Sequence, residues 1–281
     1  MRLPFNRFFI CACLLYTSLQ LYAQPTRGAL FIIGGGSRPV QMIERLISES
    51  GLNKGGYGVI LPMSSSEPDS SVYYAQLPFY KIGGVKIIGL QFKKGEIPRK
   101  SKLDSLRKAK LIYITGGDQD RFMAVVHNTD IEKAIWEAYG NGSLIAGTSA
   151  GAAVMSKVMI TGNELKHKEY NATFSRIELG NLETKEGLGL IDIAIIDQHF
   201  VVRSRYNRLI SAIIEFPALK GIGIDESAAL LVRGNQAEVI GESQIVVFEN
   251  LNHSREVKNG KMSARNIQMN IYLPGDTFSL K

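Results

Sequence analysis

The sequence predicts an α/β fold built on a mainly parallel sheet flanked by helices. Short apolar runs alternate with longer amphipathic runs along most of the chain, which is typical of repeated β-α-β units. Glycine-rich or polar residues directly follow several apolar runs, as expected where strands end at one edge of a parallel sheet. The 281 residues are 45% hydrophobic and 21% charged, an ordinary globular composition.

The predicted elements follow in chain order. Apolar runs predict strands of the main sheet at residues 29–33, 59–61, 86–90, 111–114, 144–146 and 193–196. Helical spacing covers residues 40–47, 72–80, 103–108, 131–139 and 206–214. Pro78 weakens the second of these helices. From Gly221 onward the pattern is β-rich, with strands at 222–224, 228–232, 238–240, 245–248 and 267–272. We expect these strands to form hairpins attached to the edge of the main sheet.

Domain organisation is simple after the first residues. Neither an internal repeat nor a low-complexity linker divides the chain, so we expect residues 24–281 to form a single domain. Residues 161–186 are polar without a clean period and predict an irregular excursion.

The N-terminus has the pattern of a secretory signal peptide. Arg2 and Arg7 precede an apolar run at residues 8–15, and Ala23 is a small residue at a suitable cleavage position. A membrane anchor is the alternative, but the apolar run is short for a transmembrane helix. A lipoprotein signal around Cys13 would divide the apolar run. We therefore expect residues 1–23 to be removed and the protein to be secreted or periplasmic, without stable membrane insertion.

Composition excludes several kinds of chemistry. Cys11 and Cys13 both lie in the predicted signal, so the mature chain would have no disulfide, thiolate nucleophile or cysteine metal site. Loss of Arg2 and Arg7 would reduce the net charge from +7 to +5, and no dense basic run indicates a nucleic-acid interface. We expect neither a metal nor an organic cofactor.

A Gly-Thr-Ser-Ala-Gly segment occupies residues 147–151, between an apolar run and a helix-like run. In a nucleophile elbow, small flanking residues permit a sharp turn that exposes the serine hydroxyl. The alternative is that Thr148 or Ser149 only caps the helix. The segment makes Ser149 the candidate nucleophile.

A serine nucleophile needs a base, and His199 is the best-placed histidine. The mature chain contains His127, His167, His199 and His253. Only His199 directly follows a predicted central strand, whereas the other three fit helix-end or polar surface positions. The acid that orients the ring could be Glu226, Asp225 or Asp197. With Glu226 as the acid, the catalytic residues follow in the chain order Ser, His, acid, whereas α/β-hydrolases have the order Ser, acid, His. Asp225 and Glu226 are adjacent and should point to opposite faces, so only one can readily reach the ring.

The three glycines at 34–36 suggest a dinucleotide loop at first sight. Their spacing is not G-x-G-x-x-G, and no suitable ribose-binding acid follows. We interpret them as a tight turn that permits close backbone approach.

Five motifs together resemble those of cyanophycinases, which are serine peptidases of the same family as aspartyl dipeptidase. They are Phe-Ile-Ile-Gly-Gly-Gly at 31–36, Thr-Gly-Gly-Asp-Gln at 115–119, Gly-Thr-Ser-Ala-Gly-Ala at 147–152, Asp-Gln-His-Phe at 197–200 and Gly-Ile-Gly-Ile-Asp-Glu at 221–226. The resemblance runs from about residue 29 to residue 273. It implies a fold similar to class I glutamine amidotransferases, of the flavodoxin-like kind.

The resemblance implies Ser149 as nucleophile, His199 as base and Glu226 as the orienting acid. We expect the amides of Ala150 and the Gly116–Gly117 loop, represented by Gly117, to form the oxyanion hole. The resemblance further implies a group of substrate-binding side chains: Gln119, Asp197, Gln198, Arg203, Arg205 and Arg208. Because the spacing of the three arginines does not put them on one stripe, we expect at least one to be structural.

The expected substrate is a peptide, with cyanophycin implied by the resemblance. Cyanophycin is an aspartate backbone with arginine on its β-carboxyls, so it presents carboxylates and guanidiniums together. Arginine forks match carboxylates, and Asp197 could face a cation. The resemblance thus implies an exopeptidase that releases β-Asp-Arg. An aspartyl or isoaspartyl dipeptidase and a non-catalytic peptide-binding protein are the alternatives. Residues 161–186 are longer and richer in lysine than the compact loop that the resemblance implies there. The sequence does not decide whether the protein forms a homodimer.

Overall fold

The computed structural model describes residues 28–169, 171 and 173–281. The predicted signal peptide at residues 1–23 lies outside them. The helices are α1 Val40–Ser50, α2 Pro68–Ile82, α3 Lys100–Arg107, α4 Gln119–Val126, α5 Asp130–Gly140, α6 Ala150–Ala153 and α7 Tyr206–Glu215, with a 3-10 turn at Leu52–Lys54. Within the described residues, no helix combines the length and apolar character needed to cross a bilayer.

The strands complete the set of regular elements. In chain order they are β1 Ala29–Ile33, β2 Gly58–Leu61, β3 Ile87–Gly89, β4 Leu111–Ile114, β5 Leu144–Thr148, β6 Val158–Glu164, β7 Leu182–Glu186, β8 Ala194–Gln198, β9 Lys220–Ile224, β10 Ala228–Arg233, β11 Gln236–Gly241, β12 Ile245–Asn250, β13 Glu256–Lys258, β14 Lys261–Ser263, β15 Ile267–Tyr272 and β16 Thr277–Ser279.

The main sheet is mostly parallel. In the described part of the chain it has eight strands, in the order β16-β11-β10-β1-β5-β4-β2-β3. Strands β1 to β5 pair in parallel, whereas β10, β11 and β16 are antiparallel and extend the sheet beyond β1. The predicted α/β class with a C-terminal hairpin extension is confirmed.

Helices cover both faces of this sheet because its strands are apolar on both sides. Leu30 and Ile32 of β1 pack with residues of α3, α4, α5 and α6 on one face. Phe31 and Ile33, which alternate with them, pack with α1 and α2 on the other. This arrangement buries β1 completely and explains its uninterrupted apolar sequence.

A second sheet carries the strand that leads to His199. Its order is β15-β12-β9-β8, and β8 pairs in parallel with β9. The assignment of residues 193–196 to the main sheet was therefore wrong. Ile196 packs into the core shared with the main sheet and Ile195 packs against α7, so β8 is buried on both faces. A strand buried on both faces has the same apolar pattern in either sheet. Part of the predicted C-terminal hairpin region, β9, β12 and β15, also lies here.

The polar excursion begins and ends in regular structure. Strands β6 and β7 form an antiparallel ribbon whose register shifts between Ile160 and Glu164. Gly162 lies in this shift with a φ of 97°. The shift interrupts the two-residue alternation of inward and outward side chains, so the sequence shows no clean strand period. The expectation of irregular structure was wrong for both ends of the segment.

Helix α4 was not predicted from the sequence. Its start has a recognisable cap, because Asp118 Oδ1 accepts a hydrogen bond of 3.0 Å from the amide of Arg121. The helix is short, and its cap belongs to the Gly-Gly-Asp-Gln motif at 116–119, which was interpreted as a strand end with site residues and not as the start of a helix. The cap fixes where the strand-end loop stops and α4 begins.

Ser156 links the segment after Ser149 to the strand before His199, and its loss should lower stability. The buried hydroxyl of Ser156 accepts a 2.9 Å hydrogen bond from the amide of Ile196 in β8. In Ser156→Ala that buried amide loses its acceptor, so we expect the free energy of unfolding to fall by about 1–3 kcal/mol. Urea unfolding followed by circular dichroism measures the change.

Ser105→Ala is the matched control, since that hydroxyl donates to a helix carbonyl at the surface. We expect it to change stability by less than about 0.5 kcal/mol. Equal unfolding midpoints for Ser156→Ala and the unmodified protein would show that the link to β8 contributes nothing.

Candidate active site

Ser149 lies at a sharp turn between β5 and α6. Its φ of 53° and ψ of −114° are unusual for a residue with a side chain. A Cβ at Gly147 would collide with the carbonyl of Gly151, and one at Gly151 would collide with the carbonyl of Ile114. The turn therefore requires both glycines. The amide of Ser149 donates to Ile33 O at 3.0 Å, which anchors the serine at the end of β1.

His199 contacts Ser149 on one side and Glu226 on the other. Its Nε2 lies 2.8 Å from Ser149 Oγ, and its Nδ1 lies 2.5 Å from Glu226 Oε1. The carboxylate can only accept, so Nδ1 carries the hydrogen and Nε2 is free to accept from the serine hydroxyl. The structure thus brings the three candidate catalytic residues together in the order needed for proton transfer.

The side chains of His199 and Glu226 both pack against the glycine turn at 34–36. A Cβ on Gly35 would lie 2.6 Å from His199 Nε2, and one on Gly36 would lie 2.7 Å from Glu226 Cβ. The amide of His199 also donates to Gly34 O at 2.9 Å. The turn permits a close approach, as the sequence suggested, and the residues that approach are His199 and Glu226.

Asp225, one of the carboxylates considered as the acid, has a different position. Its Oδ1 accepts from the amides of Val201 and Val202 at 3.0 Å each, and its Oδ2 accepts from Ser243 Oγ at 2.9 Å. Asp225 therefore holds the chain just after His199, and Glu226 alone of this adjacent pair reaches the ring.

The pKa of His199 is lowered from the ordinary value of 6.5. Burial of the ring is the main cause, and the nearby charges of Arg203 and Arg205 act in the same direction. The hydrogen bond and charge of Glu226 oppose them. The imidazole is consequently neutral near pH 7, which is the state required of a general base.

Gly117 and Ala150, the residues predicted to form an oxyanion hole, both lie close to Ser149. Gly117 lines the same cavity as Ser149, and Ala150 follows the serine directly. Gly117 has a φ of 134° and packs against the carbonyl of Ser64. Among the described residues, neither amide hydrogen-bonds to a protein acceptor. Both amides are thus available to a negatively charged oxygen near Ser149.

The serine opens into a polar cavity of about 230 Å³. Its lining residues are Gly117, Asp118, Gln119, Asp120, Ser149, Thr161, Gly162, Asn163, Gln198, Arg203, Arg205 and Arg208. Carboxylates lie on the α4 side and guanidiniums on the α7 side. A ligand bound here meets both signs of charge.

Asp197 does not line this cavity. Its fully buried carboxylate accepts from Arg208, with Nε at 2.6 Å from Oδ2 and Nη2 on Oδ1. A buried carboxylate needs such a partner, and here the partner is internal. The expectation that Asp197 contacts a cationic substrate is therefore corrected: it holds Arg208.

The other predicted binding residues do line the cavity. Arg205 is buried and donates through Nη1 to both the main-chain carbonyl and the side-chain oxygen of Gln198. Arg203 is exposed at the cavity mouth. Gln119 is buried and donates to the carbonyls of the β6 wall. Arg205 and Arg208 thus have structural contacts, as expected for at least one of the three arginines.

Several lining residues were missed by sequence reasoning. Asp118 and Asp120 flank the predicted Gln119, and Asp120 pairs with Lys185 of β7. Thr161, Gly162 and Asn163 come from the polar excursion, which forms a wall of the cavity. The acids could have been found from their position beside Gln119, but the β6 residues carried no comparable signal. Among the described residues, no cluster of three or more His, Asp or Glu side chains is suited to hold a metal ion.

The chain is similar to known peptidases in sequence and in fold. The model of Peptidase family S51 matches residues 30–240. A cyanophycinase from Nostoc sp. is 32% identical over 269 residues, covering 92% of this chain and 87% of the relative. One from Geminocystis herdmanii is 28% identical over 270 residues, covering 92% and 96%. The crystal structure of a peptidase from an acI-B1 Actinobacterium has a TM-score of 0.65 at 19% identity, covering 90% of this chain and 96% of that one.

The titration of His199 should respond in opposite directions to its two charged neighbours. Arg203→Gln removes a cation that disfavours the imidazolium, so we expect the pKa of His199 to rise. Glu226→Gln removes the carboxylate that favours the imidazolium, so we expect that pKa to fall further. NMR titration of the ring Cε1–H signal measures both. Arg255→Gln, at an exposed position, is the control, and a common direction for both shifts would contradict the description.

Removing the charge of Asp197 should strongly destabilise the protein. Asp197→Asn leaves the buried guanidinium of Arg208 without its counter-charge, so we expect a loss of about 3–5 kcal/mol in the free energy of unfolding. Urea unfolding measures the loss. Lys133→Gln breaks an exposed pair with Asp130 and should change stability by less than about 1 kcal/mol. A similarly small effect of Asp197→Asn would refute the role of the buried pair.

Proposed function

The chain belongs to peptidase family S51 and is a serine-type peptidase, and from this premise we propose that Ser149, His199 and Glu226 are its catalytic triad. The observation that carries the proposal is the position of the imidazole, 2.8 Å from the serine Oγ and 2.5 Å from the glutamate Oε1. The neutral ring and the available amides of Gly117 and Ala150 support the same assignment.

The proposed reaction proceeds through an acyl-enzyme. Ser149 Oγ attacks the scissile carbonyl carbon while His199 Nε2 takes the hydroxyl proton. The carbonyl oxygen becomes negative, and the amides of Gly117 and Ala150 donate to it. The tetrahedral intermediate collapses, and His199 gives the proton to the departing amine. Water then attacks the ester carbon while His199 Nε2 takes a proton from it. When the bond between that carbon and Ser149 Oγ breaks, His199 returns the proton to Oγ, and the acid product leaves. Glu226 stabilises the imidazolium at each stage.

The proposed substrate is a β-aspartyl peptide, and specifically cyanophycin, from which the enzyme releases β-Asp-Arg as an exopeptidase. The named activity of the relatives motivates this choice. The mixed charges of the cavity support it, because Arg203 and Arg208 suit carboxylates, whereas Asp118 suits a cation. We also propose that residues 1–23 export the enzyme and that residues 24–281 form the peptidase domain.

Replacement of Ser149 tests the function directly. Ser149→Ala removes the attacking oxygen, so we expect release of β-Asp-Arg from purified cyanophycin to fall by roughly 10⁴-fold or more while circular dichroism stays unchanged. Mass spectrometry of the products measures the release. Ser105→Ala, on the surface of α3, should retain full activity.

The outcome also separates the proposal from its alternatives. Retained hydrolysis by Ser149→Ala would eliminate this triad. Turnover of Asp-X or β-Asp-X dipeptides by the unmodified protein, without release from cyanophycin, would instead identify an aspartyl or isoaspartyl dipeptidase. Binding without turnover of any of these would identify a non-catalytic relative.

A further inference from the structure

We propose that Ser227 is a positioning residue of the site: its amide and its positive φ fix the main chain at Glu226, so that the carboxylate meets His199. The inference rests on the proposed function, because it concerns the proposed acid of the triad. It follows from three main-chain contacts at the end of β1 that share one pattern. Ser227 acts through Glu226 and is not itself a catalytic residue.

Three consecutive carbonyls at the end of β1 each accept an amide from a different segment of the proposed site. The contacts are the amide of Ser149 to Ile33 O at 3.0 Å, the amide of His199 to Gly34 O at 2.9 Å and the amide of Ser227 to Gly35 O at 3.0 Å. Strands β5 and β10 are the two neighbours of β1 in the main sheet, whereas β8 belongs to the second sheet. The segments that carry the serine, the histidine and the glutamate therefore meet at one short stretch of main chain.

The three amide donors also share a backbone conformation that is uncommon for residues with a side chain. Their φ values are 53° for Ser149, 50° for His199 and 59° for Ser227. A positive φ costs free energy in such residues and persists only where the surroundings enforce it. Each donor is held by a carbonyl of the same turn, so the turn supplies that enforcement. For the serine and the histidine this fixes the proposed triad residue itself, whereas for the glutamate it fixes the residue that follows.

Glu226 depends on its neighbour because its side chain is less enclosed than the ring it contacts. That side chain is 31% exposed, against 10% for His199. A glutamate side chain has several rotatable bonds, so holding its carboxylate in one place requires a fixed main chain. Ser227 is bound through both of its main-chain polar groups, since its amide donates to Gly35 O and its carbonyl accepts from the amide of Glu242 at 2.9 Å. The main chain that follows the glutamate is therefore fixed.

The hydroxyl of Ser227 adds a second contact with the same turn. Its Oγ lies 2.9 Å from Oγ of Ser37, the residue that follows the three glycines. Gly36 lies between the two contacts, and a Cβ there would approach Glu226 Cβ to 2.7 Å. Glu226 therefore packs on the turn between the contacts at Gly35 and Ser37. Because the hydroxyl pair is exposed, we assign the larger effect to the amide and the φ of Ser227.

Replacements that differ in their tolerance of a positive φ test the proposal. Asparagine and glycine adopt such a φ more readily than the β-branched valine. With cyanophycin as substrate, we expect Ser227→Asn and Ser227→Gly to keep kcat within about threefold of the unmodified enzyme. Ser227→Val should lower kcat by about ten- to a hundredfold with KM nearly unchanged, because a displaced acid weakens proton transfer but removes no substrate contact.

Asn266→Val is the matched control for the strain that valine introduces. Asn266 has a φ of 57° at an exposed position just before β15, and it does not line the cavity of Ser149. We expect urea unfolding to show a loss of stability in both valine variants, but kcat to fall only in Ser227→Val. An equal loss of kcat in the two variants would overturn the proposal.

The pKa of His199 provides a readout that a loss of stability alone does not move. Glu226 raises this pKa through its hydrogen bond and charge, whereas Arg203 and Arg205, which stay in place, lower it. A displaced carboxylate should therefore let the pKa fall in Ser227→Val, as measured by NMR titration of the ring Cε1–H signal. The acid limb of kcat/KM should move to lower pH with it. Ser227→Asn should keep both at their original values, and an unchanged pKa in folded Ser227→Val would contradict the proposal.

A double variant separates an effect through Glu226 from any other route. In a Glu226→Gln background, Ser227→Val should lower kcat by less than about a further twofold, because the charge that Ser227 positions is already absent. A further loss as large as that in the unmodified background would show that Ser227 acts independently of Glu226, and the proposal would fail.

The decision does not depend on one variant folding or on one substrate. If Ser227→Val does not fold, Ser227→Ala takes its place with the same expected directions, since alanine conflicts less severely with a positive φ than valine. If the unmodified protein does not hydrolyse cyanophycin, the proposed function fails. The NMR comparison needs no substrate and then decides this inference alone.

Discussion

The approach of His199 to the glycine turn at 34–36 is the constraint on which the rest of the site depends. The turn accepts the histidine amide through Gly34 O at 2.9 Å and leaves room for the imidazole only because Gly35 has no side chain. His199 also has a φ of 50°, a conformation that costs on the order of 1–3 kcal/mol and persists only where the surroundings enforce it. Backbone packing, together with the hydrogen bonds of the ring, thus sets the position of the imidazole between serine and glutamate.

Much of the fold could be predicted from the sequence because β1 to β5 are apolar on both faces and end in glycine or polar residues. The same property limited the prediction for β8. Ile195 and Ile196 face two different apolar layers, and such a strand fits a central position in either sheet. The excursion was harder still, since the shifted register around Gly162 removes the alternation that marks a strand. Pairing between distant segments decides both the sheet to which β8 belongs and the register of β6 and β7. Such pairing leaves no local pattern in the sequence.

For the site, local patterns were informative where the backbone itself is unusual. Ser149 was found because its turn needs small neighbours on both sides, and this need is visible in the sequence. Asp197 was misassigned because an acidic residue looks the same whether its partner is a ligand or an internal arginine. Full burial distinguishes the two cases, since a carboxylate removed from water requires a fixed counter-charge such as Arg208. Burial depends on the tertiary fold, so the sequence alone could not separate them.

The wall provided by β6 has a consequence for how this cavity tolerates change. It orients Gln119 through main-chain carbonyls, and every amino acid supplies the same carbonyl. Side-chain replacements along β6 can therefore change the shape of the cavity while the Gln119 amide keeps its orientation, as long as the register shift at Gly162 is retained. Sequence divergence within the β6–β7 ribbon would therefore change the ligand shapes that the cavity accepts. It would have less effect on the polar groups that the cavity recognises.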